Sequence, residues 1–215
     1  MTDGRTAVPA PAPGAALRCF GDGDPLYEAY HDDKWGRPVH GEQALLERIA
    51  LEGFQSGLSW ITVLRKCPAF REVFEGFDPE KVAAFGSDDV ERLLTDARII
   101  RNRMKIEATI DNARAVVALH DSGRTLDELF WSFAPAPADR RRAATFGDVP
   151  AWTDESKALS KAMKKEGFRF IGPTTAYAAM QACGVVNDHL AACWVRDEVE
   201  KERSAVHGYP GRRDG

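Results

Sequence analysis

The chain is poor in the features that mark several protein classes. Its 215 residues include only four cysteines, and with no apolar leader segment this argues against a secreted disulfide framework. No run approaches the roughly 20 apolar residues that a membrane span requires, so no membrane partner is expected and the expected location is cytoplasmic. Alternating strand patterns are nearly missing, which leaves an all-α class. Positive charge is not in excess either: the net charge of −4 argues against a non-specific polyanion binder. There is no internal repeat and no convincing linker, so a single folded domain over residues 17–198, monomeric, is expected. Residues 1–16, rich in Ala, Pro and Gly, should be a disordered arm. Residues 199–215 look like a frayed helix followed by a charged tail.

What is present reads as helices. At 44% hydrophobic residues the chain can build a core. Leu45, Leu46, Ile49 and Ala50 form a helical stripe in residues 42–51. Pro68 bounds an apolar stretch at residues 59–64. Asp78 with Pro79 is a helix start, and residues 87–89 cap a helix that buries Val90, Leu93 and Leu94. Residues 106–119 form a long amphipathic helix and residues 126–133 a short one, followed by a loop at residues 134–137. Cys67 and Cys183 read as small apolar residues at helix ends. Basic runs stand at Arg98, Arg101, Arg103 and Lys105, at Arg140, Arg141 and Arg142, and at Lys157, Lys161, Lys164, Lys165 and Arg169. Each alone reads as a solvated helix face.

Three patterns point to chemistry. The first is two cysteines and two histidines split between the ends of the chain: Cys19 and His31 early, His189 and Cys193 late. Placed i, i+4 on one helical turn, the late pair would share a face, and with the early pair would complete a tetrahedral Cys2His2 zinc site. A closed site of that kind is structural. Two packed helix residues remain the alternative for the late pair.

The second pattern is residues 153–184. Thr153 caps a helix whose buried stripe is Ala158, Leu159, Ala162 and Met163, and Gly167 ends it. A short apolar-glycine connection follows, then a second helix over residues 175–183. Gly172 permits a close approach or an unusual dihedral, and Pro173 suits a first helical position. The N–H groups that open the second helix could hold a phosphate, flanked by the preceding lysines. A plain αα-hairpin is the alternative.

The third is Leu51-Glu52-Gly53-Phe54-Gln55-Ser56-Gly57-Leu58-Ser59-Trp60. A carboxylate in apolar and aromatic company suits a pocket that orients a polar ligand. Tyr30, beside His31, and Trp60 are suited to stacking a flat heterocycle, with a further cation–π attraction if that ring is cationic. Core packing is the alternative for each ring taken singly.

These residues carry a resemblance. Asp24-Pro25-Leu26-Tyr27-Glu28-Ala29-Tyr30-His31-Asp32-Asp33-Lys34-Trp35-Gly36 resembles the N-terminal motif of the DNA-3-methyladenine glycosylase I (Tag) family. So do residues 51–64, then Ile99-Ile100-Arg101-Asn102-Arg103-Met104-Lys105-Ile106, then Trp131-Ser132-Phe133, then residues 167–189. The resemblance spans about residues 18–195, and five long motifs in order are highly specific. It implies a helix-hairpin-helix DNA glycosylase with a structural zinc ion held by Cys19, His31, His189 and Cys193. It implies a base-pocket carboxylate at Glu52, pocket rings at Tyr30 and Trp60, and a DNA-gripping hairpin at residues 167–174, with Gly167, Gly172, Thr174, Lys164 and Lys165 as its contacts. The family usually carries a tryptophan two residues after the first cysteine. This chain has Cys19-Phe20-Gly21, which makes Phe20 the replacement wall.

The implied activity is hydrolytic release of 3-methyladenine from alkylated double-stranded DNA, without a Schiff base and without strand nicking. The lesion would be flipped out of the duplex, with Leu58 as the wedge that fills the gap or else a core leucine. Asp188 is expected to cap a helix or to orient a zinc ligand. A glycosylase for another alkylpurine, and a non-enzymatic zinc-containing DNA-binding module, are the competing readings.

Overall fold

The computed structural model describes residues 17–136 and 142–206. The expected arm at residues 1–16, Arg140 and Arg141, Pro137 and the last nine residues of the tail lie outside that range. Among the described residues there are helices and turns and no strand, the class expected from the missing alternation.

The helices in chain order are α1 (Pro25–Asp33), α2 (Glu42–Gln55), α3 (Trp60–Leu64), α4 (Cys67–Val73), α5 (Pro79–Ala83), α6 (Ser87–Thr95), α7 (Arg103–Asp121), α8 (Leu126–Trp131), α9 (Asp154–Lys165), α10 (Pro173–Ala182) and α11 (Arg196–Val206). None of them is long and apolar enough to cross a membrane. The starts follow local chemistry. Asp24 accepts from the N–H groups of Leu26 and Tyr27, Asp78 from those of Glu80 and Lys81, and Thr153 from that of Ser156, each satisfying donors that a helix leaves free.

α2 is the central element. It packs against α7, α10, α3 and α8, and Leu45, Leu46, Leu51 and Phe54 are fully buried in the main core. It runs four residues beyond the expected end at residue 51, through Gly53, because burial on several sides outweighs the roughly 1 kcal/mol that a helical glycine costs. α4 was not expected. Pro68 lies in its first turn, where a missing N–H costs nothing, so it opens this helix rather than bounding the one before. The helix over residues 87–95 is capped at Gly86, whose N–H donates to Asp89, rather than at residues 87–89.

The two ends of the chain meet. α11 extends through residues 199–206, where a frayed helix is expected, but it is docked and not frayed. Val199 is buried, and so is Arg203 at 1% exposure. The Arg203 guanidinium donates to the carbonyls of Gly184 and Val185, both at 2.6 Å. Arg37, just past α1, reaches Glu198 at 3.2 Å and also Glu202. Gly184 is wedged against the chain there: its φ is +74°, and a Cβ would come within 2.6 Å of the Gly36 carbonyl oxygen. Gly184→Ala should therefore cost about 3 kcal/mol or more. Gly123→Ala, at φ +75° with open space around it, should cost only the ~1–2 kcal/mol of the left-handed backbone. Denaturant unfolding of the two variants measures the difference.

Candidate active site and metal cluster

A chain of aromatic rings packs together beside Glu52. Tyr30, on α1, lies 5.2 Å centroid to centroid from Trp60 at the start of α3. It is 6.4 Å from Phe20 and 6.5 Å from Tyr27, and Phe20 and Tyr27 are 4.9 Å apart. Glu52 projects from the last buried turns of α2 and is 7% exposed. Burial pushes its carboxyl up to about 8, against the pull of Arg48 one turn earlier. Burial also raises the phenols of Tyr30 and Tyr27, and the Glu52 charge adds to both shifts. Sequence reasoning brought Glu52, Tyr30, Trp60 and Phe20 together, and the structure does the same. It missed Tyr27, although the i, i+3 spacing from Tyr30 on a capped helix was the available signal.

Two polar groups here lack protein partners. The Trp60 indole Nε1 is buried and unpaired. No hydrogen bond joins the Glu52 carboxyl to another described residue. Leaving a buried donor or acceptor unsatisfied costs about 1–3 kcal/mol each. A donor and an acceptor left open among aromatic walls can take a flat ring with hydrogen-bonding edges.

The cysteines and histidines converge beside these rings. The ligand atoms of Cys19, His31, His189 and Cys193 lie within 4.8 Å of one another and could hold a metal ion. Cys19 Sγ is 3.6 Å from His189 Nδ1, and Cys193 Sγ is 3.4 Å from His31 Nε2 and 3.5 Å from His189 Nδ1. The outward nitrogens are already used: His31 Nδ1 meets Asp32 at 2.8 Å, and His189 Nε2 meets the Trp35 carbonyl at 3.0 Å. Those contacts put the ring protons outside and the lone pairs inside. The Leu190 N–H donates to Cys19 Sγ at 3.2 Å. His189 and Cys193 do not share a helical turn as expected. Residues 187–195 are irregular chain and turns, not helix, because their N–H groups go elsewhere: Leu190 to Cys19, Ala191 to the Ala143 carbonyl, Trp194 to the Leu17 carbonyl. Asp188 neither caps a helix nor touches a cluster ligand; it accepts from the Tyr177 hydroxyl at 2.6 Å and from Gln181 at 2.8 Å. Cys67 and Cys183 are buried and apart from the cluster.

The connection between α9 and α10 lies on another side of α2. Gly167 (φ +96°) ends α9, with the Gly167 N–H on the Lys164 carbonyl and the Phe168 N–H on the Met163 carbonyl. Gly172 has an ordinary φ of −69° at the cap of α10, so of its two expected uses the unusual dihedral does not occur. The left-handed residue is Phe170, at φ +55°, and the space at the Gly172 Cβ position is open. Asn112 of α7 fixes the connection from inside by accepting from the Arg169 N–H at 2.7 Å and donating to the Arg169 carbonyl. Thr174, Lys164 and Lys165 are exposed beside it. Leu58, at 39% exposure, is a surface residue and not a core leucine. Its loop is tied down by Lys105, whose ammonium donates to the Phe54 and Ser56 carbonyls at 2.9 and 2.7 Å. Lys105 is thus buried and no part of a solvated basic run, and Arg98 and Arg103 are paired with Glu72 and Glu91.

Fold and site together define a class: an all-helical protein with a buried carboxyl among aromatic rings beside a Cys/His cluster. A family model described as methyladenine glycosylase matches residues 20–197. The chain belongs to the methyladenine glycosylase family. It is 51% identical over 170 residues to DNA-3-methyladenine glycosylase 1 of Escherichia coli (strain K12), covering 79% of this chain and 91% of that protein. It superposes on a crystal structure of 3-methyladenine DNA glycosylase I with a TM-score of 0.80 at 48% identity, covering 83% of this chain and 98% of the other. A structure from Staphylococcus aureus, described as the basis of 3-methyladenine recognition by that enzyme, gives 0.78 at 34% identity, covering 83% and 95%.

The Glu52 proton has a consequence for stability. The folded state holds it up to about pH 8, whereas an unfolded carboxyl releases it near 4.5. Stability from this group is fully present below about pH 4.5 and is lost as pH rises through about 8. Thermal melts of the ligand-free protein should show Tm falling across that window, and Glu52→Gln should remove this part of the fall.

Proposed function

We propose that this protein is a monofunctional DNA glycosylase that excises 3-methyladenine from alkylated double-stranded DNA by hydrolysis. The observation that carries the reading is the pairing of an unpartnered buried carboxyl with an unpartnered buried indole N–H between aromatic walls. It is supported by family membership and by relatives named for 3-methyladenine.

The lesion is cationic in DNA, and its glycosidic bond is weakened because the base leaves neutral. Selective capture of a cation is therefore the main task. Glu52 accepts hydrogen bonds from the edge of the everted base, and its charge favours that base over undamaged adenine. Tyr30, Trp60 and Phe20 present ring faces, each worth about 1–3 kcal/mol in stacking. The electron pair of the glycosidic bond goes to the base. Water adds at the sugar C1′ and loses a proton. Leu58 fills the space left in the duplex. Residues 153–184 act as a helix-hairpin-helix, with Gly167, Gly172 and Thr174 admitting the backbone and Lys164 and Lys165 beside it.

The ion at the cluster is proposed to be zinc. Zinc–sulfur bonds of about 2.3 Å and zinc–nitrogen bonds of about 2.0–2.1 Å at tetrahedral angles separate S from N by roughly 3.6 Å. Three of the four sulfur–nitrogen distances are 3.4–3.6 Å and all the ligand atoms lie within 4.8 Å of one another, a donor set that an ion can draw into such a site. Four protein ligands leave no open position, and the role is structural: it ties the segment carrying Phe20 and Tyr30 to the far end of the chain.

Incubation with methylated duplex DNA should release free 3-methyladenine, identified by chromatography; no release from zinc-replete protein overturns the reading. Glu52→Gln should lower kcat/KM about 10–100-fold, the loss of one charge-assisted hydrogen bond. A wild-type rate that rises with pH through about 8 should lose that limb in the variant. Unchanged activity on Glu52→Ala would favour an architectural DNA-binding module instead. Separately, Cys193→Ala should lower zinc content and Tm together.

A further inference from the structure

One aromatic residue stands at the outer end of the ring chain and has no part in the site as described. Phe146 lies in a short 3-10 turn, Phe146–Asp148, and is 45% exposed. Its ring is 6.5 Å from that of Phe20, at 35° between planes. Phe20 is already committed on its other sides: its ring meets His31 and Trp35 edge-on at 4.9 and 5.0 Å and Tyr27 at 4.9 Å. Phe146 is thus the exposed ring of the series, whereas Phe20, Tyr27 and Trp60 are half-buried and Tyr30 is buried.

The turn that carries it is held firmly. The Thr145 N–H and hydroxyl both donate to the Asp148 carboxylate, at 2.8 and 3.0 Å. The Ala143 carbonyl accepts from the Ala191 N–H at 2.7 Å, which docks the segment on the loop between His189 and Cys193. Val149 packs on the main core. An apolar ring exposed on a braced turn, next to a site with unfilled polar groups, is placed for a ligand rather than for the core.

We propose that Phe146 is a specificity-determining residue that forms the outer rim of the base pocket. It covers the everted methylpurine on the side that Phe20, turned toward the metal cluster, leaves open. It also restricts the alkyl group at the rim to methyl size. This rests on the reading of the site as a base pocket.

The test uses the full-length zinc-loaded protein and two variants, Phe146→Ala and Phe146→Trp. Binding of free 3-methyladenine is followed by tryptophan fluorescence for the alanine variant and by calorimetry for both. Phe146→Ala should weaken binding about five-fold or more, the low end of what removal of a stacking ring does to base binding. It should also raise the release of 3-ethyladenine relative to 3-methyladenine from alkylated duplex, with zinc content unchanged. Phe146→Trp should restore binding. Equal affinity and an equal ethyl-to-methyl ratio in wild type and Phe146→Ala overturn the rim assignment while leaving the pocket intact. A wild-type protein that neither binds the base nor releases it overturns both.

Discussion

The convergence of Cys19, His31, His189 and Cys193 sets the geometry on which the rest of the site depends. Each ligand stands beside something that the site uses. Cys19 precedes Phe20, and His31 follows Tyr30. The loop between His189 and Cys193 supports the Phe146 turn through the Ala191–Ala143 hydrogen bond. The ends of the chain are further joined by Arg37 with Glu198 and by Arg203 on the Gly184 and Val185 carbonyls. The cluster joins the segments that carry Phe20 and Tyr30 to the far end of the chain. Pre-set walls spare a ligand the cost of ordering them.

α2 meets this frame from the core side and carries the opposite requirement. Its buried leucines and Phe54 make it the most deeply packed helix, and the same packing carries Glu52 into a place where a charge is disfavoured. A carboxyl with no protein partner there is a standing cost, which the fold tolerates because the surrounding apolar burial is large. The unpaired Trp60 indole N–H is a second such cost a few residues along. Both stand beside the same group of aromatic rings. On the proposed function, a cationic base would offset the cost of charging Glu52 by Coulomb attraction, which a neutral purine cannot do.

The two faces of α2 divide the work. One side presents Glu52 to the aromatic rings. At its C-terminal end, Lys105 holds the Phe54 and Ser56 carbonyls and so places the loop bearing Leu58. Gly53 lies 3.6 Å, measured from its would-be Cβ, from Phe170 in the α9–α10 connection. The Leu58 loop and the α9–α10 connection are thus braced from the same turn of helix that carries the Glu52 carboxyl.

Much of this was legible in the residues. The lack of alternating patterns gave the all-helical class, Asp24, Asp78 and Thr153 marked helix starts, and glycine after Lys165 marked the end of α9. Those are local effects, set by caps, propensity and periodicity within a few residues. The soft ligands were legible as a set because Cys and His are scarce and chemically distinctive. Their local geometry was not: residues 187–195 lose a helix because Ala143, Leu17 and Cys19 take their N–H groups, and those partners are remote in sequence. Leu58 on the surface, Lys105 buried against two carbonyls, Phe170 rather than Gly172 in the left-handed region, and Phe146 beside Phe20 were likewise undetermined by local sequence. The sequence by itself determined the helices and which chemical groups were available. Tertiary structure decided which of those groups lost their water, which found partners and which were left open, because desolvation and hydrogen bonding depend on neighbours that only the packed chain supplies.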